Sequence, residues 1–258
     1  MNTLFVAWQD PANRAWFPVG RLTREAGVYQ FVYLVGALRA EKQAGFDRLA
    51  GFPSFDRVYE AANLFPLFTN RLPPRSRPEY GEFVRWLNVP DDEDDPIVLL
   101  ARSGGRRATD SLEVYPCPEP DEEARYHIHF VVHGLRHLPE ASIERVERLE
   151  PGERLFLMHD LQNPKDPKAL LLRTGDRGER DVYPVGYCPR YLAEDLHGIW
   201  EKAGSTLSVA VERVNPAPAP LQLRLLCNLT SLWPAGFKPF SGDIYEPIPD
   251  DVATACVA

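Results

Sequence analysis

The chain has 258 residues, of which 44% are hydrophobic and 26% are charged, as is usual for globular proteins. This length is enough for one large domain or two small ones. The formal net charge of −8 argues against a protein that coats duplex DNA by electrostatic attraction alone. No apolar run approaches the roughly 18 residues needed to cross a bilayer. The N-terminus also lacks a signal-peptide pattern, so we expect a cytoplasmic protein without a membrane partner.

Residues 1–90 have the pattern of an α+β domain. Three segments, Leu4–Trp8, Phe17–Leu22 and Val28–Leu34, are rich in β-branched and aromatic residues, which predicts three strands. The segment Arg77–Leu87 has apolar residues at helical spacing, which predicts a short helix.

A run of acidic residues from Asp91 to Asp95 marks a boundary, because neighbouring carboxylates repel one another and do not pack in a core. Beyond the run, Pro96–Arg102 and Ser111–Tyr115 resemble two strands on either side of a glycine-containing turn. The sequence therefore predicts an acidic connector over residues 91–124 that contains a β-hairpin.

Residues 125–232 are rich in short strands and closely spaced turns, which favours a small β-barrel over a sandwich. One helix is predicted to interrupt the strands, and residues 233–258 are predicted to be a C-terminal tail. The fold class is therefore α+β, with a barrel as the second domain. The predicted strands are His127–Gly134, Arg154–His159, Ala169–Arg173, Val182–Tyr187, Thr206–Val214 and Leu221–Cys227, and the predicted helix is Pro189–Lys202.

Three clusters in this second domain resemble the HIRAN family in residues, order and spacing. The first is Gly-Leu-Arg-His at residues 134–137. The second is the loop Asp-Leu-Gln-Asn-Pro-Lys-Asp-Pro-Lys-Ala-Leu at residues 160–170. The third is Val-Gly-Tyr-Cys-Pro-Arg-Tyr-Leu-Ala at residues 185–193, where a strand leads into a helix. The resemblance covers about 100 residues, and three matching clusters are more specific than one motif alone.

The resemblance implies an OB-like barrel that binds single-stranded DNA, in the best-understood relatives at a free 3′-hydroxyl end. In that interpretation an aspartate accepts a hydrogen bond from the terminal hydroxyl and repels a phosphate that continues the strand. Arginines hold phosphates, and aromatic rings stack on bases. The positions that match the DNA-contacting residues of the family are Arg136, His137, Lys165, Asp166, Tyr187 and Arg190.

Two of these positions depart from the family pattern. His137 and Lys165 stand where the end-binding relatives have tyrosines, so we expect weaker stacking and a cation beside Asp166. A purely structural interpretation also stays open for the loop, because Asn-Pro and Asp-Pro pairs form turns in any protein. Under this structural interpretation, Arg136 and Arg190 are solvated surface charges without a ligand.

Metal and cofactor sites are not predicted. His127, His129 and His133 share one face of a predicted strand, but no cysteine or carboxylate completes a ligand set at metal spacing. None of the four cysteines forms a C-x-x-C pair. We therefore expect neither a metal nor a cofactor.

Catalytic motifs are also missing from the sequence, which has neither a phosphate-binding G-x-x-x-x-G-K-[ST] loop nor a G-x-S-x-G elbow. We therefore expect a nucleic-acid-binding accessory protein rather than an enzyme. Residues 1–90 weakly resemble the N-terminal subdomain of HipA-like toxin kinases, through Val-Gly-Arg-Leu at residues 19–22 and Phe-Pro-Leu-Phe-Thr-Asn-Arg-Leu-Pro at residues 65–73. A protein-interaction or antitoxin-like adaptor is therefore the alternative, with a partner bound through this domain.

Overall fold

The computed structural model describes residues 2–90, 92–175 and 182–248. The last part of the predicted tail, residues 249–258, lies outside the described residues, as does Asp91 at the start of the predicted connector. Within the described residues, no helix is both long enough and apolar enough to span a membrane.

The described chain forms two compact units. The first contains an antiparallel sheet in the order β4-β3-β2-β1-β5, whose inward residues make an aromatic core. Its strands are β1 (Thr3–Gln9), β2 (Trp16–Glu25), β3 (Val28–Tyr33), β4 (Tyr59–Ala61) and β5 (Leu112–Pro116). The helices along this part of the chain are α1 (Val35–Ala44), α2 (Pro66–Thr69), α3 (Tyr80–Trp86) and α4 (Pro96–Ser103).

The predicted strand over Pro96–Arg102 is wrong, because this segment is helix α4. The Asp95 carboxylate caps the helix by accepting a hydrogen bond from the Ile97 amide at 2.8 Å, and Pro96 occupies the first turn. Gly104 ends the helix with a φ of 72°. The predicted β-hairpin in the connector is therefore also wrong. A short apolar run alone did not distinguish a strand from a buried helix.

The structure groups the chain differently from the predicted connector and tail. Residues 92–118 and 238–248 pack in the first unit with residues 2–81. Strand β5 pairs antiparallel with β1 along its whole length, and the Ile248 amide donates a hydrogen bond to the Tyr33 carbonyl at 2.9 Å. Long-range strand pairing thus places these segments in the first unit, whose sheet otherwise consists of strands from the N-terminal part of the chain.

The second unit comprises residues 82–90, 119–175 and 182–237 of the described chain. It contains a curled antiparallel sheet in the order β6-β11-β10-β7-β8-β9. The α+β prediction is confirmed, and the sheet is barrel-like. The elements are β6 (Arg125–Val131), α5 (Glu140–Glu147), β7 (Arg154–His159), β8 (Leu170–Arg173), β9 (Pro184–Tyr187), α6 (Arg190–Ala203), β10 (Ser208–Val214) and β11 (Leu225–Leu232).

The two edges of this sheet meet through one backbone bridge. His133, just beyond β6, and Tyr187 at the end of β9 exchange two hydrogen bonds, each 2.9 Å between amide nitrogen and carbonyl oxygen. This pairing satisfies backbone groups at both edges, which a curled sheet otherwise leaves exposed. Helix α6 buries Leu192, Leu196 and Ile199.

The bridge requires a glycine at position 186. Gly186 has a φ of 125°, and a Cβ atom there would lie 2.6 Å from the His133 carbonyl oxygen and would overlap the Val132 side chain. We expect Gly186→Ala to lower the free energy of unfolding by at least about 3 kcal/mol, because it adds backbone strain to an overpacked contact. Urea unfolding of the second unit measures this loss.

Gly152→Ala is the matched control. Gly152 also has a positive φ, of 88°, but a Cβ atom there would meet nothing within 4 Å. Gly152→Ala should therefore lower the free energy of unfolding by only about 1 kcal/mol, from backbone strain alone. Equal losses for the two variants would show that the close contact at Gly186 contributes nothing.

Candidate nucleic-acid interface

The turn after β6 brings the first sequence cluster against β9. Gly134 begins a 3₁₀ turn over Leu135–His137 with a φ of 79°, and a Cβ atom at this position would lie 3.1 Å from Cδ2 of Tyr187. Leu135 is buried, while Arg136 and His137 are exposed. The glycine therefore lets the turn approach the tyrosine ring while the two polar side chains face solvent.

Arg136 and His137 contact each other in this turn. The Arg136 Nε donates a hydrogen bond to Nε2 of His137 at 2.9 Å, so the imidazole accepts at that nitrogen. Arg136 makes no ion pair with a carboxylate among the described residues. Its guanidinium therefore retains donors for an anionic ligand.

The second cluster forms an ordered loop between β7 and β8. The Asn163 Oδ1 accepts hydrogen bonds from the amides of Lys165 and Asp166, at 3.0 and 3.1 Å. At the base of the loop, the Asp160 amide donates to the Ala169 carbonyl at 2.9 Å. An asparagine in this role mimics a backbone turn and fixes the residues that follow it.

The third cluster joins this loop through Tyr187. Its hydroxyl donates a hydrogen bond to Asp160 Oδ2 at 2.9 Å, and Asn163 Nδ2 donates to the same oxygen at 3.1 Å. Partial burial and the hydrogen bond to Asp160 raise the pKa of Tyr187, so the phenol stays neutral at physiological pH. These contacts fix the ring while part of its surface remains exposed.

Asp166 lies between the loop and the beginning of α6. Its Oδ1 accepts a hydrogen bond from the Lys168 amide at 3.0 Å, and its Oδ2 lies 3.4 Å from Arg190 Nε. Only 16% of the Asp166 side chain is exposed, against 33% for Arg190. The carboxylate is therefore accessible along a restricted direction, next to a cation.

The predicted site residues thus fall into two contacting groups beside one bridge. Lys165, Asp166, Tyr187 and Arg190 are connected through the loop, and the turn that carries Arg136 and His137 packs on β9. Lys165 is exposed, and the described cation closest to Asp166 is Arg190. Sequence reasoning did not identify Asp160. The signal was present, since an aspartate at the end of a strand opens the Asn-Pro loop.

The three predicted strand histidines do not converge. His127 and His129 lie side by side, with their Nε2 atoms 2.9 Å apart, and Nδ1 of His129 pairs with Glu212. His133 instead takes part in the backbone bridge to Tyr187. Among residues 2–90, 92–175 and 182–248, no group of three potential ligands is placed to hold a metal ion.

A large cavity lies in the first unit, away from the predicted site. It has a volume of about 910 Å³ and includes four arginines in its lining. Two of these are held by carboxylates, Arg24 by Asp95 and Arg75 by Asp94.

Comparison with known proteins adds family evidence to this geometry. The family model of the HIRAN domain matches residues 126–232. Among solved structures, a protein from Lactobacillus plantarum is 17% identical, with 42% of this chain and 96% of that chain covered and a TM-score of 0.30. The HIRAN domain of human HLTF is 20% identical, with 42% of this chain and 73% of that chain covered and a TM-score of 0.27. No curated protein matches the chain.

The hydrogen bond between Tyr187 and Asp160 predicts a measurable role for the hydroxyl in loop order. Tyr187→Phe should lower the free energy of unfolding by about 1 kcal/mol, since the bond is charge-assisted but partly exposed. Hydrogen exchange at the amides of Lys165 and Asp166 should accelerate as well. Tyr183→Phe is the control, because its hydroxyl has no partner among the described residues. Equal behaviour of the two variants would contradict the role of this bond.

Proposed function

Because residues 126–232 form a HIRAN domain, we propose that this chain is an accessory protein that binds single-stranded DNA at a free 3′ end. HIRAN domains bind DNA, which supports nucleic-acid binding in general. The proposal includes an OB-like barrel and assigns binding rather than catalysis to the chain. The proposed contacts are made by Arg136, His137, Lys165, Asp166, Tyr187 and Arg190.

The observation that carries this proposal is the environment of Asp166. One carboxylate oxygen is occupied by the Lys168 amide, and the other lies beside Arg190. A terminal hydroxyl can donate to the second oxygen, whereas a phosphate at the same place brings a like charge to a partly desolvated carboxylate. Such an arrangement favours a strand that ends over a strand that continues.

Arg190 has two functions in this proposal. Its positive charge partly offsets the negative charge of the Asp166 carboxylate. The exposed part of its guanidinium can donate to the phosphate that precedes the terminal nucleotide. Arg136 is exposed and takes a second phosphate. Because the whole chain is acidic, these contacts act at short range and do not attract DNA from a distance.

Base recognition in this proposal depends on stacking. Tyr187 has its hydroxyl bound to Asp160, so its ring is already ordered before a ligand arrives. His137 presents a smaller ring from the neighbouring turn. Stacking on such rings tolerates any base, so the proposed specificity is for the strand end rather than for sequence.

The adaptor alternative has less support. Of the described residues in the first unit, Val28 and Leu38 are the large hydrophobic residues classed as exposed, and two such residues do not make a contiguous apolar patch. The HipA resemblance of residues 1–90 stays a prediction, as does a protein partner bound there.

Removing both proposed phosphate-binding side chains tests the charge assignment. Arg136→Ala combined with Arg190→Ala should weaken single-strand binding. The slope of log K against log salt concentration should also become shallower, by up to about 0.7 for each phosphate that is no longer neutralised. Lys202→Ala is the control, because Lys202 lies near the other end of α6, roughly 18 Å away by helical rise. Fluorescence anisotropy over a salt series measures both quantities. An unchanged slope in the double variant would exclude both arginines from the interface.

Replacing the carboxylate tests end recognition. Asp166→Asn keeps an acceptor for the Lys168 amide but removes the negative charge. Affinity for a strand with a 3′-hydroxyl should fall by a factor that corresponds to roughly 1–2 kcal/mol. Affinity for a 3′-phosphate strand should stay level or rise, so the preference between the two ends should collapse.

Anisotropy titrations with 3′-hydroxyl, 3′-phosphate and blunt duplex oligonucleotides measure this preference. Glu194→Gln removes the same charge from an exposed position that pairs with Lys168, so its preference should match that of the native protein. Native protein without any 3′-hydroxyl preference would contradict end recognition. If Lys165→Tyr then created a preference for the 3′-hydroxyl, the lysine at position 165 would explain why the native protein lacks one. If neither protein bound single strands, the adaptor alternative would replace the proposal.

A further inference from the structure

We propose that the bound strand continues past Tyr187 across the outer face of β7 and β8, and that Arg154, Phe156 and Arg173 form a second nucleic-acid subsite there. We call the residues Tyr187, Leu171, Met158, Phe156, Arg173 and Arg154 the outer track. This inference rests on the proposed function and adds to it the path of the strand beyond its end.

The strand register places the outer track on one face. Leu171 lies opposite both Met158 and Tyr187, and Arg173 lies opposite Phe156. Opposed residues in an antiparallel sheet project from the same face. The alternate residues of these strands point inward, as the burial of Leu155 and Leu172 shows. The track is therefore continuous with the ring of Tyr187.

Two guanidinium groups share one phenylalanine ring in the track. Cζ of Arg154 lies 5.1 Å from the centroid of Phe156, and Cζ of Arg173 lies 5.0 Å from it. Arg173 is held by hydrogen bonds to the carbonyls of Thr174 and Gly175. Neither arginine forms a salt bridge with a carboxylate among the described residues.

Arg154 and Arg173 have no negatively charged partner among the described residues. Cation–π contacts hold both guanidinium groups at one ring. A phosphodiester backbone supplies the missing negative charge and accepts the remaining N–H donors.

Apolar surface accompanies the charges. Met158 is 44% exposed within the track, and Leu171 lies between Met158 and Tyr187. Leu161, which is 78% exposed, begins the neighbouring loop. Bases that are not paired expose flat apolar faces, so a mixed apolar and cationic strip suits single strands better than duplex DNA.

The distance from the end site defines which ligands reach this subsite. Phe156 lies two strands and one two-residue step from Tyr187, which is roughly 12 Å from standard sheet spacings. A terminal nucleotide at Asp166 cannot span that gap, whereas a strand of several more nucleotides can. Barrels of this class occupy about 4–16 nucleotides. Affinity should therefore increase with strand length until the outer track is filled.

The test compares oligothymidines of 2 and 10 nucleotides, both with a 3′-hydroxyl, by competition against a labelled strand. Native protein should bind the longer strand at least about tenfold more tightly. Arg154→Glu and, separately, Phe156→Leu should remove most of this gap and leave the affinity for the shorter strand unchanged. Lys202→Ala should retain the gap. Urea midpoints close to the native value establish that the variants are folded.

The outcomes separate the inference from the proposed function. Equal affinity of native protein for both lengths, or a gap that survives in both track variants, would overturn the outer track while leaving the end site intact. The combined Arg136→Ala and Arg190→Ala variant should instead weaken both lengths together. If native protein bound neither strand, the proposed function would fail, and the inference would fail with it.

Discussion

The candidate interface depends on a close approach of two backbones, at His133 and Tyr187. The two hydrogen bonds exchanged there join the edges of the curled sheet, and the absence of a side chain at Gly186 makes room for them. The same approach places the Gly134 turn on the ring of Tyr187. Tyr187 in turn binds Asp160 at the base of the loop. One packing constraint therefore brings three separated sequence clusters to one surface.

The electrostatics of this surface differ from those of the whole chain. A net charge of −8 gives no long-range attraction to DNA, yet Arg136 and Arg190 are both at least partly exposed at the interface. The ion pair between Arg190 and Asp166 is central to the proposed function, since it holds the carboxylate at which we propose that a strand ends. In the proposed function recognition is therefore local, and charge complementarity at the end of the strand selects the ligand.

The sequence predicted the second unit better than the first. Strand-rich patterning and the three clusters predicted the α+β class and the HIRAN domain, because glycines and turn residues at defined spacing have few structural solutions. The segment from Pro96 was predicted as a strand and is a helix. Its apolar run fits either structure, and the capping by Asp95 decided the outcome. The pairing of β5 with β1 was beyond local reasoning, since it joins residues far apart in the sequence.

The local geometry of the candidate site was predictable where it follows from one residue and its immediate neighbours, and less so where the contacting partners are distant in the sequence. Asn163 and Asp166 stand in a recognisable turn sequence. The contacts of Tyr187 with Asp160 and of Arg190 with Asp166 depend instead on the fold. The contacts of two arginines with the Phe156 ring also depend on the fold, because Arg173 comes from β8 whereas Arg154 and Phe156 come from β7. Sequence alone indicated Lys165 as the cation beside Asp166, whereas the structure adds Arg190.

The most direct measurement is a ¹⁵N–¹H correlation titration of the full chain with a short single strand that carries a 3′-hydroxyl. The account predicts that the amide signals of the non-proline residues in 134–137, 160–168 and 187–190 shift together, with one common midpoint. Their joint response would locate the strand end at the place where the three clusters meet. Shifts confined to the first unit, with these amides unchanged, would contradict the central claim.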